Sequence, residues 1–523
     1  MRKRIGLTGA CVAAGALTCS TGVVLAITGA NGAVHILSSV TSANPRVASP
    51  ATIVAAGFGL VRLVQGSDAL ENPSGAITTY GYLADGTKTE ADENTYLVLD
   101  HNPGGPTAGY DYGRRFLFQG HENGAPMAYI TRVNLDVSDP RHRITLLTPE
   151  NPATGTTGFG SIDGSTWDPF TRTLLFTQER SSSGGVIEFT PDWPSQYRTL
   201  DGIVGKGGYE GIHPDDRGNL IIIEDVGGRS VPVNPADSTS PRAARQPNSF
   251  VYRFVPYDRS DLGEGGRLYA LQVWVDGGPV TFHAADPVGD TFSDAQLQLH
   301  TLGTSWPATW VLVHDTAVDG FASFSANAAA KAAGATPFKR PENAQFLPGS
   351  GFNTFFFDPT GDTDANSGNV PALAARGAWG SIFRADFPGA GAAGTVSIVV
   401  LGDADHAAFD NLAFADPQTL LAAEDRGDGL HAQLNTLDSV WAYDVRGELA
   451  PRRFIALGRD PAATADVTAS GEGDNEPTGV HVSDGATSIE RLIGKPSAPN
   501  ATRWFFTQQH GMNQTYEIVP YPR

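Results

Sequence analysis

Gly208-Tyr-Glu-Gly-Ile-His-Pro-Asp-Asp-Arg-Gly-Asn-Leu-Ile-Ile-Ile-Glu224-Asp225 is the stretch on which the fold turns. An acid, Glu210, stands ahead of a polar turn, Asp215-Asp216-Arg217-Gly218. A short apolar run, Leu220 to Ile223, follows and ends on Glu224 and Asp225. A run of this length and composition reads as a strand buried on both faces. Two antiparallel strands joined by a tight turn put the start of the first beside the end of the second. The hairpin therefore brings an acid from each strand to one edge.

The unit recurs along the chain. Arg115-Phe-Leu-Phe-Gln-Gly ends at His121-Glu122, Thr173-Leu-Leu-Phe-Thr-Gln at Glu179, Thr354-Phe-Phe-Phe at Asp358, Thr419-Leu-Leu-Ala-Ala at Glu424-Asp425, and Trp504-Phe-Phe-Thr-Gln at Gln509-His510. Ahead of four of these runs stands a second acid: Asp163, Glu342, Asp410 and Glu476. From Asp163 to Glu179 and Glu342 to Asp358 the step is 16 residues; from Glu210 to Glu224 and Asp410 to Glu424 it is 14. Repeated hairpins of one register point to a closed radial array, whose inner strands turn their acid-bearing ends to one mouth of a central channel. The expected fold is all-β, a six-bladed β-propeller with small helical and loop insertions. One such insertion is a short helix at Ala326 to Ala335, and another is a flexible stretch from Asp460 to Asp474.

Composition agrees. The 523 residues are 40% hydrophobic, and 61 glycines and 35 prolines suit many short strands and turns better than long helices. The net charge of −20 and the lack of a Lys/Arg cluster beyond the N-terminus argue against nucleic acid as a partner. Arg2-Lys3-Arg4, the small and apolar run to Ile27, and Val24-Leu25-Ala26 read as a signal peptide over residues 1–26, which implies a secreted, extracellular or periplasmic protein. Residues 27–56 read as a linker and 57–523 as one propeller domain, a monomer with no later membrane span. Cys11 and Cys19 both fall in the signal, and Ala16-Leu17-Thr18 is a poor lipid-anchor motif. The mature chain therefore has no disulfide and no thiolate.

Gathered carboxylates repel by about 4 kcal/mol per pair at 4 Å and an effective dielectric of 20, so the mouth needs protons or cations. Oxygen donors without thiolate favour Ca²⁺ or another hard ion. Cations there would attract a small anionic substrate such as a phosphoester. His121 and His510, at strand ends, are candidate acid/base groups, and Arg340 is a candidate anion clamp. Arg114, Arg115, Arg180 and Arg426 stand beside acids in the sequence as well. No Gly-x-Ser-x-Gly, His-Glu-x-x-His or phosphate-loop pattern occurs.

The ordered motifs Gly120-His121-Glu122, Ser165-Thr166-Trp167-Asp168 through Glu179, Gly208-Tyr209-Glu210, Phe250-Val-Tyr-Arg-Phe-Val, Gly266-Arg-Leu-Tyr-Ala, Arg340-Pro341-Glu342, Asp410-Asn411-Leu412, Glu476-Pro-Thr-Gly479 and Gln509-His510-Gly511 resemble the PhoX-like family of secreted alkaline phosphatases. The resemblance runs from about Gly57 to Gly511. It implies a six-bladed propeller carrying calcium and iron (Ca²⁺ and Fe³⁺) in the channel mouth. By it, Glu179, Glu210, Glu342 and Asp425 match acidic ligand positions, and Glu122, Glu224, Asp225, Asp410 and Glu476 are further ligands. Two departures stand out. Gln178 occupies the position of the family's iron-ligating cysteine, and Tyr209 that of a histidine. Alternatives to a phosphatase are a calcium-dependent propeller hydrolase of another class, such as a lactonase, and a non-catalytic, calcium-stabilised binding propeller.

Overall fold

The computed structural model describes residues 27–28, 34–36, 38–46, 51–148, 150–458, 476–489, 502–509 and 511–521. The signal at 1–26, both cysteines, His510 and the 460–474 insertion lie outside them. Among the described residues, no helix is long and apolar enough to cross a membrane.

The protein is all-β and propeller-like. Four separate antiparallel sheets each run outward from an inner strand. Their inner strands are Glu90–Val98, Ile162–Asp168, Phe409–Asp416 and Pro477–Ser483. The remaining main strands form one ten-stranded sheet instead of two blades, a departure from the expected six separate sheets. The cause is the strand Trp306–Asp315. It pairs with Gly266–Val275 on one side and Ala393–Leu401 on the other, joining the run that starts at Tyr209–Pro214 to the run that starts at Pro341–Phe346. The six inner strands nevertheless make a closed circuit. Glu90–Val98 packs beside Ile162–Asp168, then come Tyr209–Pro214, Pro341–Phe346, Phe409–Asp416 and Pro477–Ser483, which returns to Glu90–Val98.

Closure uses both ends of the chain. Phe58–Val64 pairs antiparallel with Gln514–Pro520, so an N-terminal strand completes the last sheet. Ile53–Val54, placed in the linker by sequence, adds a fifth strand beside Arg452–Ala456. Phe58 joins the two sheets: its ring lies 5.0 Å from Phe454, edge to face, and 5.8 Å from Trp504. Phe58→Ala should cost about 3 kcal/mol or more, because the cavity opens between two sheets that close the ring. Urea unfolding of the two proteins checks this, and equal midpoints would contradict it.

Five inner strands carry a β-bulge at one level, where two residues face one on the partner strand. The bulged pairs are Asp92-Glu93, Asp163-Gly164, Glu210-Gly211, Glu342-Asn343 and Asp410-Asn411, and the sixth strand bulges between Thr478 and His481. The first residue of each of the five pairs is an acid. The second position is crowded. A Cβ on Gly164 would lie 2.2 Å from the Glu210 carbonyl oxygen, and Gly479, at φ +57°, would meet Asn94 at 2.5 Å.

A candidate metal centre in the channel mouth

The bulges build the site. Carboxylate oxygens of Asp92, Glu122 and Asp163 lie within 4.8 Å of one another, as do those of Asp163, Glu179 and Glu210, and those of Glu210, Asp225 and Glu342. Adjacent groups share Asp163 and Glu210, so seven acids form one continuous arc. Inner-strand acids alternate along it with acids at the ends of the second strands. Asp410, Asp425 and Glu476 continue it, with Glu476 hydrogen-bonded to Asp425 and under the field of Asp410 and Asp92. Gln509 Nε2 donates to Asp92 Oδ2 at 2.5 Å and Thr478 donates to Asp92 Oδ1, which brings the last sheet back to the first.

The electrostatics follow from this crowding. Burial first, and neighbouring carboxylates second, hold Glu122, Asp163, Glu210, Asp410 and Glu476 well above the usual carboxylate range. Burial likewise raises Glu342, with Asp225 adding to the rise and Arg340 opposing it. Asp92 is pushed up to about 6 by burial, although Thr478 and Gln509 hydrogen bonds oppose the rise. Glu179 is pushed up to about 8, by burial and then by Asp225. Asp163 is 6% exposed and makes no hydrogen bond or ion pair among the described residues. A buried carboxylate in that state calls for a proton or a cation. Every donor in the arc is a carboxylate oxygen, which suits Ca²⁺ with its six to eight oxygen ligands.

Arg340 is the cation already in place. Its Nη2 lies 2.8 Å from Asp225 Oδ2 and 3.4 Å from Glu342 Oε1, and its side chain keeps 25% exposure. Its backbone is left-handed, with φ +54°. That conformation is costly for a residue with a Cβ and persists only when the surroundings enforce it.

Several sequence candidates lie elsewhere. Glu224 faces away from the mouth, where it accepts from the Phe250 N–H, the Tyr252 hydroxyl and Asn327 Nδ2. Neighbouring strand residues point to opposite faces, so Asp225 takes the mouth and Glu224 the blade. Glu424 is likewise held by Arg426, Ser439 N and Trp441 Nε1, and Asp425 follows it. His121 is fully buried, 2.9 Å from Thr131 Oγ1 and stacked on Tyr129 at 4.3 Å. Burial lowers its pKa to about 3, so it stays neutral and is no acid/base group of the mouth. Asp358 accepts from the Asn343 N–H beneath the arc. Arg114 and Arg115 lie at the opposite end of their blade, where a surface cleft is lined by them and by Asp100, His101 and Asp136. Gln178 turns its amide oxygen to the Gly160 N–H at 3.3 Å.

Sequence reasoning missed Asp92. A long loop before Arg115 separates Asp92 from Glu122 and hides the hairpin spacing. The acid followed by Gly, Asn or Glu at each bulge is the signal that marks it. Below the arc, Asn343 Nδ2 donates to Glu93 Oε1, while Glu93 Oε2 accepts from the Ser165 N–H at 2.7 Å and Asn343 Oδ1 lies 3.1 Å from His213 Nε2. Glu93 and Asn343 belong to inner strands on opposite sides of the circuit, so their bond spans the axis.

Fold and site together define an all-β, propeller-like protein that collects carboxylates at one mouth. No protein-family model matches the chain, and no curated protein matches it in sequence. Among solved structures it is similar to TolB from Acinetobacter baumannii, at 8% identity and a TM-score of 0.30, over 82% of this chain and 64% of that one. The chain thus spans under two thirds of the TolB structure. It is also similar to the WD40 β-propeller domain of Doa1 (9% identity, TM-score 0.26, 69% of this chain and 93% of that one). A third similar structure is a PL25 polysaccharide lyase, an ulvan lyase (9%, 0.28, 82% and 93%).

Proposed function

We propose that this chain is a secreted, six-bladed propeller hydrolase of the PhoX-like kind, acting on small phosphoesters at a calcium-bearing carboxylate mouth. The blade count takes the two four-strand runs of the ten-stranded sheet as blades bridged by Trp306–Asp315. The observation that carries the reading is the arc of seven carboxylates ending at Arg340. Calcium, when bound, supplies positive charge that neutralises the arc and polarises the oxygens of an anion. The arc acids hold the cations and keep their own charge fixed. Arg340, planar and half-committed to Asp225, orients a phosphate oxygen through its guanidinium edge. Calcium fits the donors better than iron does, because Gln178 stands at the thiolate position and its amide oxygen is occupied by Gly160.

The same glutamine favours a second reading, in which calcium only stabilises the propeller or serves another ester chemistry such as lactone opening. Release of p-nitrophenol from mono- and bis-p-nitrophenyl phosphate, with and without a calcium chelator, separates them. Turnover that vanishes with chelator, returns with Ca²⁺, and falls roughly 100-fold or more in Glu210→Gln is the expected result, since Glu210 belongs to two of the three acid groups. Lactone turnover without phosphoester turnover favours the other chemistry. No turnover with calcium bound leaves the stabilising role.

A further inference from the structure

We propose that the cap hairpin formed by Ser230–Val231 and Ala244–Arg245 is a binding site for a tetrahedral oxyanion, separate from the carboxylate mouth. The chain carries 56 acidic and 36 basic residues, so an arginine has many possible partners. Among the described residues, Arg229, Arg242 and Arg245 form no ion pair and bond only neutral oxygens. Arg242 donates to the Ser230 carbonyl oxygen, and Arg245 Nη1 donates to Ser230 Oγ at 3.0 Å. Two guanidinium groups therefore converge on one serine, and both bond only neutral acceptors. Arg229, next to Ser230, donates from Nη1 to the Ala284 carbonyl oxygen at 3.2 Å. Lys331, held over the Phe282 ring at 4.1 Å and bonded to Asn248, answers first to burial and to Glu224 and only then to Arg229, so it is not counted with the hairpin arginines.

The acids around the hairpin are committed elsewhere. Asp290 accepts from Gln246 Nε2 and the His283 N–H. Asp237 caps its own turn through the Thr239 N–H. Asp362 is held by Lys339 Nζ at 2.9 and 3.0 Å and by Ser367, with both members of that ion pair buried. Asp362 also accepts from the Arg245 backbone N–H at 3.1 Å, a contact that uses the Arg245 main chain and not its guanidinium. This last link places the hairpin. Lys339 precedes Arg340 in the chain, so the Arg245 main chain is tied through Asp362 to the segment that carries Arg340. Unneutralised guanidinium groups gathered in one place repel, and a phosphate- or sulfate-type group, matched bidentately, relieves that repulsion. A salt-bridged surface would not need such a ligand. The inference does not depend on phosphoester hydrolysis at the mouth.

Inorganic sulfate titrated calorimetrically into the full chain tests it. Arg242→Ala/Arg245→Ala should bind sulfate roughly ten-fold more weakly or worse, while Arg141→Ala, in the exposed Pro140–His142 turn of another blade, binds as the parent does. Arg242→Lys/Arg245→Lys, which keeps charge and fold, should fall between. Equal affinity in the parent and the double alanine variant overturns the proposal. So does loss of binding confined to Arg340→Ala, or no sulfate binding by the parent at millimolar concentration. A sulfated dextran oligosaccharide that binds more tightly than sulfate, through the same two arginines, identifies the ligand as a group on a chain. Equal affinity for both identifies the free ion.

Discussion

Metal-stripped protein should lose stability as the pH rises from about 4 to about 8, and calcium should restore it most strongly at the alkaline end. The sign follows from the acids of the mouth. A group whose folded-state pKa is raised binds its proton more tightly folded than unfolded. It stabilises the fold at low pH, and that contribution is lost as the pH rises through the folded value. Asp92 moves from 3.8 to about 6 and Glu179 from 4.5 to about 8, and both shifts come first from burial. Asp92 alone contributes roughly 3 kcal/mol across that window. A cation at 100 times its dissociation constant adds about 2.7 kcal/mol, so two ions would raise the melting temperature by roughly 5 °C. At pH 4 protons already occupy the ring, and calcium should shift melting little. Thermal melts across the pH range, with chelator and with added calcium, measure both effects. A calcium shift of equal size at pH 4 and pH 8 would show that the ion sits away from these acids.

Gly164→Val should be the most damaging single substitution at the inner ring. A Cβ at this position lies 2.2 Å from the Glu210 carbonyl oxygen and 2.7 Å from its carbonyl carbon, both backbone atoms of the adjoining inner strand. Strands locked in a closed circuit cannot move apart at one point alone, and the extra branches of valine enlarge the clash. We expect a loss of about 3 kcal/mol, with calcium affinity reduced because Glu210 is displaced with its strand. Gly124→Ala is the control, since a Cβ there meets nothing within 4 Å. Chemical unfolding and calcium titration of both variants decide the matter. If Gly164→Val folds and binds calcium like the parent, the strands are not in the close contact described.

Much of this was legible in the sequence, for reasons that particular residues show. The steps of 14 and 16 residues between acids reflect paired strand ends, so Asp163 and Glu179 arrive together, whereas the steps from Glu210, Glu342 and Asp410 end on Glu224, Asp358 and Glu424, which lie off the arc. What stayed hidden depends on register. Glu224-Asp225 and Glu424-Asp425 each offer two adjacent acids. Only strand alternation, set by a bulge that composition does not announce, sends the second member to the mouth. His121 precedes Glu122 and faces the blade by the same rule. The merging of two sheets through Trp306–Asp315 lay in the long segment between Glu224 and Asp358, which does not repeat the spacing of the other hairpins. Arg340 could be placed beside the acids from sequence, but its left-handed backbone and its grip on Asp225 required the packed structure.

The bond from Asn343 to Glu93 across the axis has a consequence for traffic. A propeller's central hole invites the picture of a tunnel, with reactant entering at one end and product departing at the other. Here that bond lies across the hole beneath the carboxylates. On the proposed reading, an anion that reaches the carboxylates would leave on the side by which it came, past Arg340, before another could enter. Anything that lingers there therefore competes directly with the next arrival.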